Sequence, residues 1–151
     1  MSEHIVNKPS VWFWVLTVIL ALWALMGLWV FYDFMTTTPE KMAKYVVDGT
    51  YTQAYVEYYN DFPIWHTVVF GIAIFSSAFG ALGLVLRRAW AAPLFTLSLV
   101  CVVISTFATH AIDKAHTMMS TGQTAMSGVV LGLAILAFWH AKKSKAKGWL
   151  K

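Results

Sequence analysis

A chain of 151 residues that is 59% hydrophobic, 16% aromatic and only 12% charged has the composition of a membrane protein, not of a soluble domain. Its formal net charge of +4 does not point to nucleic acid, because Lys and Arg are confined to short segments between apolar runs and form no basic face. A single cysteine, Cys101, lies inside an apolar run and excludes an intramolecular disulfide, a cysteine-based zinc site or a redox pair within one chain.

Crossing a hydrocarbon core of about 30 Å takes roughly 20 helical residues. Four runs qualify, approximately Val11 to Tyr32, Ile64 to Leu86, Pro93 to Ala111 and Gln123 to Trp139, and none carries Asp, Glu, Lys or Arg in its interior. Backbone amides in lipid must be satisfied within the segment, so the runs are helices. The first is too long for a signal peptide and no small-x-small cleavage pattern follows it, so it is expected to remain attached. Trp12, Trp14, Trp29, Trp65, Trp90, Trp139 and Trp149 fall near span ends, as amphipathic indoles should, while Trp23 is mid-span.

Between the first two spans, Phe34 to Phe62 forms the longest connection. Thr38, Pro39 and Glu40 read as N-cap, first helical residue and a first-turn acid, with Gly49 as a stop, which predicts a short helix over Pro39 to Asp48. After it Tyr51, Tyr55, Tyr58 and Tyr59 recur at helical spacing, an aromatic face suited to the membrane interface, to the bundle or to an external partner or sugar. With Asp61 and His66 these tyrosines form the candidate external binding face.

His66 is the one ionisable side chain clearly inside a span, one turn into the second helix and near enough to the headgroups to be expected hydrated. Further along, Ala73, Ser77 and Ala81, with Ser76 and Gly80 beside them, offer a small-residue line for helix packing. The segment RRAWAA, Arg87 to Ala92, is short enough to force the second and third spans into an antiparallel hairpin, and Pro63 and Pro93 stand where first turns tolerate a missing N–H.

Ser98, Cys101, Ser105 and Thr109 make a mildly polar stripe on the third helix. It runs into HAIDKAH, where His110, Asp113 and His116 are candidate metal ligands or a proton-handling cluster. The same residues also suit a solvated connector, and the six-residue histidine spacing departs from the four-residue spacing of helical two-histidine sites. In the fourth span Ser120, Thr124, Gly128 and Gly132 repeat every four residues, so Gly128 and Gly132 are expected to face another helix. His140 adjoins the tail HAKKSKAKGWLK, whose five lysines read as a solvated, topology-setting end.

Eight basic residues, Lys8, Arg87, Arg88, Lys142, Lys143, Lys145, Lys147 and Lys151, fall on one side against Lys41, Lys44 and Lys114 on the other. The positive-inside rule then predicts both termini in the cytoplasm, with Glu3 alone among the acids on that side. The expected fold is an all-α integral membrane bundle of four transmembrane helices in a single domain over residues 1–151, with short helical segments in the first external loop.

The run PIWHTVVFGIAIFSSAFGALGLVLRRAWAAPLFTLSLV carries Pro63, Trp65, Gly80, Gly83, Leu86, Arg87, Arg88, Ala91 and Phe95, and the tail carries Ala141, Ala146, Gly148, Trp149 and Leu150. These residues resemble a family of small four-helix bacterial inner-membrane proteins that often bear the generic label "sugar transporter". The likeness covers mainly residues 61–100 and the tail, whose alanine spacing of five departs from the family's ending. It implies a bacterial inner-membrane location and a transporter label, and it assigns no catalytic or ligand residue.

No nucleophile with a base, no paired carboxylates and no cofactor fingerprint occur, so neither an enzyme nor a cofactor is expected. The expectation is an accessory or scaffolding component of a membrane complex, in contact with the lipid bilayer and with a membrane-protein partner or further copies of itself. An oligomeric transporter of a small, sugar-like solute is the first alternative, and an external metal- or pH-responsive protein the second.

Overall fold

The computed structural model describes residues 8–151; Glu3, counted above with the basic side, lies outside them. Four long helices, α1 (Val11–Met35), α4 (Ile64–Val85), α5 (Ala91–Phe107, continued by a wider turn to Ile112) and α6 (Thr121–Ala146), are each long and apolar enough to cross a membrane. Two short ones, α2 (Pro39–Val47) and α3 (Gln53–Asn60), lie in the first long connection. The chain is an all-α, multi-pass membrane bundle. Residues 8 and 151 share one end, the terminal end; α2, α3 and the α5–α6 connection make up the other, the loop end.

Local signals work as their chemistry requires. Ser10, Thr38, Thr52 and Ser120 cap the N-termini of α1, α2, α3 and α6 with their hydroxyls, and Ser120 and Gln123 complete a capping box. Gly49, at φ +73°, ends α2 in the left-handed conformation where a side chain would be strained. Hydropathy marks the bilayer and not the end of hydrogen bonding, so α6 continues from Trp139 through Ala and Lys, both good helix formers, to Ala146.

Around the bundle α1 packs on α4, α4 on α5 and α5 on α6, while α1 meets α6 through few residues. The small-residue line of α4 lies at the α4–α5 seam as expected. A Cβ at Gly80 would come within 3.0 Å of the Phe95 ring and one at Gly83 within 2.9 Å of Trp90, and the Ser98 hydroxyl donates to the carbonyl of Ala73 at 2.9 Å. The well-packed core gathers in the terminal half, where Phe13, Leu20, Leu84, Phe95 and Ala141 are buried together.

Within the single chain the Gly stripe of α6 meets no other helix. Gly128 and Gly132 are exposed, and a Cβ added at either would meet no atom within 4 Å; the inward face of α6 is instead the line Gln123, Ser127, Val130, Ala134 and Ala137. The Gly stripe was legible, but α6 is apolar nearly all round, so nothing local turns that stripe inward.

The five lysines of the tail are exposed, as expected of a solvated end, but its Trp and Leu are not. Gly148, at φ +70°, reverses the chain, and Trp149 and Leu150 fold back into the core at 9% and 6% exposure. There Arg87, left-handed at φ 54°, donates from Nε to the Trp149 carbonyl at 3.1 Å, and Arg87 and Ala89 exchange backbone hydrogen bonds with Lys151 at 2.7 Å each. The turns that follow α4 and α6 thus satisfy one another's backbone groups, while the apolar surface of Trp149 and Leu150 leaves water.

Candidate functional site

The loop half of the bundle encloses a cavity of about 1210 Å³. Its floor is Leu20, Phe95 and Ala137, the upper edge of the packed core. Its walls are mainly apolar on α1, α4 and α6, with Trp23, Ile74 and Leu133 but also Ser77, Gln123 and Ser127, and mildly polar on α5, with Ser98, Ser105, Thr106 and Thr109. Leu20 and Asp33 both line it; being thirteen residues apart on α1, they give it a length of about 20 Å.

Lining residues that are also exposed mark the mouth. Trp29 and Val30 of α1 and Met126 of α6 are such residues, with Gly49, Thr50, Thr121 and Gly122 at the loop end. The opening therefore lies along the α1–α6 seam, where those helices part, towards their loop ends.

Tyrosines roof the cavity. Rings of Tyr45, Tyr51, Tyr55 and Tyr58 follow one another at centroid separations of 5.2, 5.2 and 5.9 Å, so the aromatic face of α3 looks inward onto the bundle and not out to the medium. Tyr59 donates to the Phe34 carbonyl at 2.8 Å, Tyr45 donates to Asp33 at 3.0 Å, and Lys41 pairs with the same carboxylate. The Thr52 hydroxyl bonds the Met118 carbonyl and Ser120 bonds that of Thr50, which clasps the two loops together. Burial pushes the Tyr55 phenol up to about 12 and raises Tyr51 and Tyr59; Asp33 beside it raises Lys41.

His110, Asp113 and His116 do not converge. The helix breaks at Lys114, left-handed at φ 52°, so His116 leaves the stripe of α5. His110 Nδ1 faces the Thr106 carbonyl at 3.0 Å and His116 Nδ1 the His110 carbonyl at 3.1 Å, with their rings stacked 6.1 Å apart. Asp113 turns the other way, accepting from Tyr58 at 2.7 Å and lying 3.2 Å from His66 Nε2. Among the described residues no group of three His, Cys, Asp or Glu side chains is placed to hold a metal ion.

His66, expected hydrated, is 1% exposed, enclosed by Phe62 and Trp65 at ring separations of 4.7 and 3.9 Å. Its approach to Asp113 is misaligned for a hydrogen bond, and neither ring nitrogen has another partner among the described residues. Asp61, the other polar member of the predicted external face, is exposed and caps the end of α3 away from these groups. Sequence reasoning passed over His140, which is buried at the terminal end with Nε2 3.3 Å from the Thr17 hydroxyl and its ring against Phe13. Its place between Trp139 and a lysine run carried no signal of this, because the partner is 123 residues away in sequence.

No protein-family model, no curated protein and no solved structure matches the chain.

Proposed function

We propose that this chain is a non-enzymatic binding protein of the bacterial inner membrane, with both termini cytoplasmic, that takes a lipid-like molecule into its bundle through the α1–α6 seam. The observation that carries the reading is the cavity of about 1210 Å³, apolar at its floor and hydroxyl-lined above, with its mouth on that seam. Pockets that enclose organic ligands have this make-up, an apolar lining with a few convergent polar groups. The excess of Lys and Arg at the terminal end supports the orientation.

A sugar-like transporter, as the family resemblance suggests, fits less well. Its solute needs a path to both sides, and the terminal end is closed by Phe13, by Thr17 against His140 and by the folded-back Trp149. The accessory reading keeps one specific support. Gly128 and Gly132 offer an open small-residue face to a further helix, whether of a membrane-protein partner or of a second copy. Binding a lipid-like molecule and serving in a complex are compatible roles.

The test is mass spectrometry of the protein extracted from its own host in a mild detergent, for the wild type and for Ala134→Trp, whose indole would occupy the cavity. A stoichiometric small-molecule mass, lost in Ala134→Trp while the melting temperature is retained, is expected. A wild type free of any such mass overturns the reading, and a stoichiometric unrelated protein in its place moves the function to the accessory role.

A further inference from the structure

We infer that the cavity selects a neutral amphiphile whose head is a flat ring bearing hydrogen-bond acceptors, a quinone-class molecule with an apolar tail; the inference rests on the lipid-binding reading above. Charge is the first discriminator. Apart from His110, the only ionisable acid or base lining the cavity are Asp33 and Lys41, and they are spent on each other, with Tyr45 adding a further bond to the carboxylate. An ammonium head would leave water with its one acidic partner already paired, and a carboxylate or phosphate head would find only the His110 imidazole, so a neutral head loses least on entering.

Donors are the second. The hydroxyls of Tyr51 and Tyr55 make no hydrogen bond to protein among the described residues, nor does that of Ser105 near the loop end of α5, and all three residues line the cavity. With its phenol pushed up to about 12 by burial, Tyr55 remains a donor throughout the physiological range. A head with carbonyl oxygens and no donors of its own uses these groups directly. A sugar head must satisfy several donors as well as acceptors on leaving water, and with Asp33 engaged it has only neutral hydroxyl and amide oxygens to donate to, so it has more groups to satisfy than a head of two carbonyls.

Shape is the third. The ladder Tyr45, Tyr51, Tyr55, Tyr58, with neighbouring rings 5.2 to 5.9 Å apart, spans the roof, and a flat ring beneath it gains the offset or edge-on contacts aromatic pairs prefer. Below that level the walls turn apolar, with Trp23, Leu133 and Phe95, and the depth of about 20 Å receives an extended tail.

Four probes sharing a decyl tail separate the possibilities by titration into the full chain in nanodiscs: a decyl-benzoquinone, decyl glucoside, undecanoate and decyltrimethylammonium. The benzoquinone is expected to bind at least about tenfold more tightly than either charged probe and more tightly than the glucoside. Tyr55→Phe should weaken it about fivefold, the loss of one hydrogen bond, with an unchanged melting temperature. A charged probe or the glucoside binding as tightly as the benzoquinone overturns the head-group assignment and leaves the lipid-binding reading standing. Binding of none of the four, or binding of all unchanged in Ala134→Trp, overturns both.

Discussion

Trp149 stands edge-on to Phe13, ring centroids 5.7 Å apart, so the last described turn of the chain is locked against the first turn of its first helix. The contact closes the terminal end of the bundle, and Lys147 lies 4.6 Å over the same indole on its way out to the headgroups. The Trp149 backbone carbonyl also accepts from Arg87 Nε, which ties the same turn to the α4–α5 connection.

Trp149→Ala is therefore expected to destabilise the protein by about 2 to 4 kcal/mol, from lost burial and the cavity left beneath Phe13. A thermal melt in detergent measures it. A melting temperature equal to that of the wild type would mean that the tail is not docked in solution.

The two glycine pairs should behave oppositely. Gly80→Ala and Gly83→Ala each push a methyl into Phe95 or Trp90, at 3.0 and 2.9 Å, and should cost about 1 to 3 kcal/mol. Gly128→Leu and Gly132→Leu meet open space and should leave the melting temperature of the single chain unchanged. If they lower the oligomeric mass seen by light scattering, the open face of α6 is a contact between chains.

The roof is held through Asp113, which Tyr58 bonds at 2.7 Å. Tyr58→Phe removes that bond and should weaken the attachment of α3 by about 1 kcal/mol. Asp113→Ala should do more, since it also deprives the buried His66 of its one charged neighbour, 3.2 Å away. Hydrogen exchange over residues 53–60 is the readout. Faster exchange in Asp113→Ala than in Tyr58→Phe, and in both than in the wild type, is the expected order.

The tyrosine roof should also loosen in alkali. Tyr51, Tyr55 and Tyr59 are raised by burial and Tyr58 by burial and Asp113, with Tyr55 at about 12 against 10 for a free phenol. A group whose folded pKa exceeds its unfolded one binds its proton better when folded, so its stabilisation is whole below pH 10 and is lost as pH rises from 10 towards 12. Ultraviolet titration should show a late phenolate fraction that Tyr55→Phe reduces by one group. Phenols titrating together near 10 would place the rings in water.

Much of this fold is written locally. The spans follow from runs of some 20 apolar residues, α2 from Thr38, Pro39 and Gly49, and the α4–α5 hairpin from a connection too short to do anything else. Gly80 was legible as a packing residue from its place beside the small-residue line of α4, and the structure sets Phe95 against it across that hairpin. These features depend on chemistry summed over a few consecutive residues, and the sequence determined them by itself.

Only the tertiary structure decided which way each helix is turned. A helix bound for lipid is apolar on every side, so its sequence does not say which face looks inward. Hence Gly128 and Gly132 point out, His66 and His140 are buried, the histidines of HAIDKAH part company, and the tyrosines of α3 roof a cavity. The tail meets Arg87 and Phe13, 62 and 136 residues before Trp149, for the same reason. Such contacts form between surfaces distant in sequence, where packing volume and hydrogen-bond satisfaction select the partner and no local periodicity records the choice.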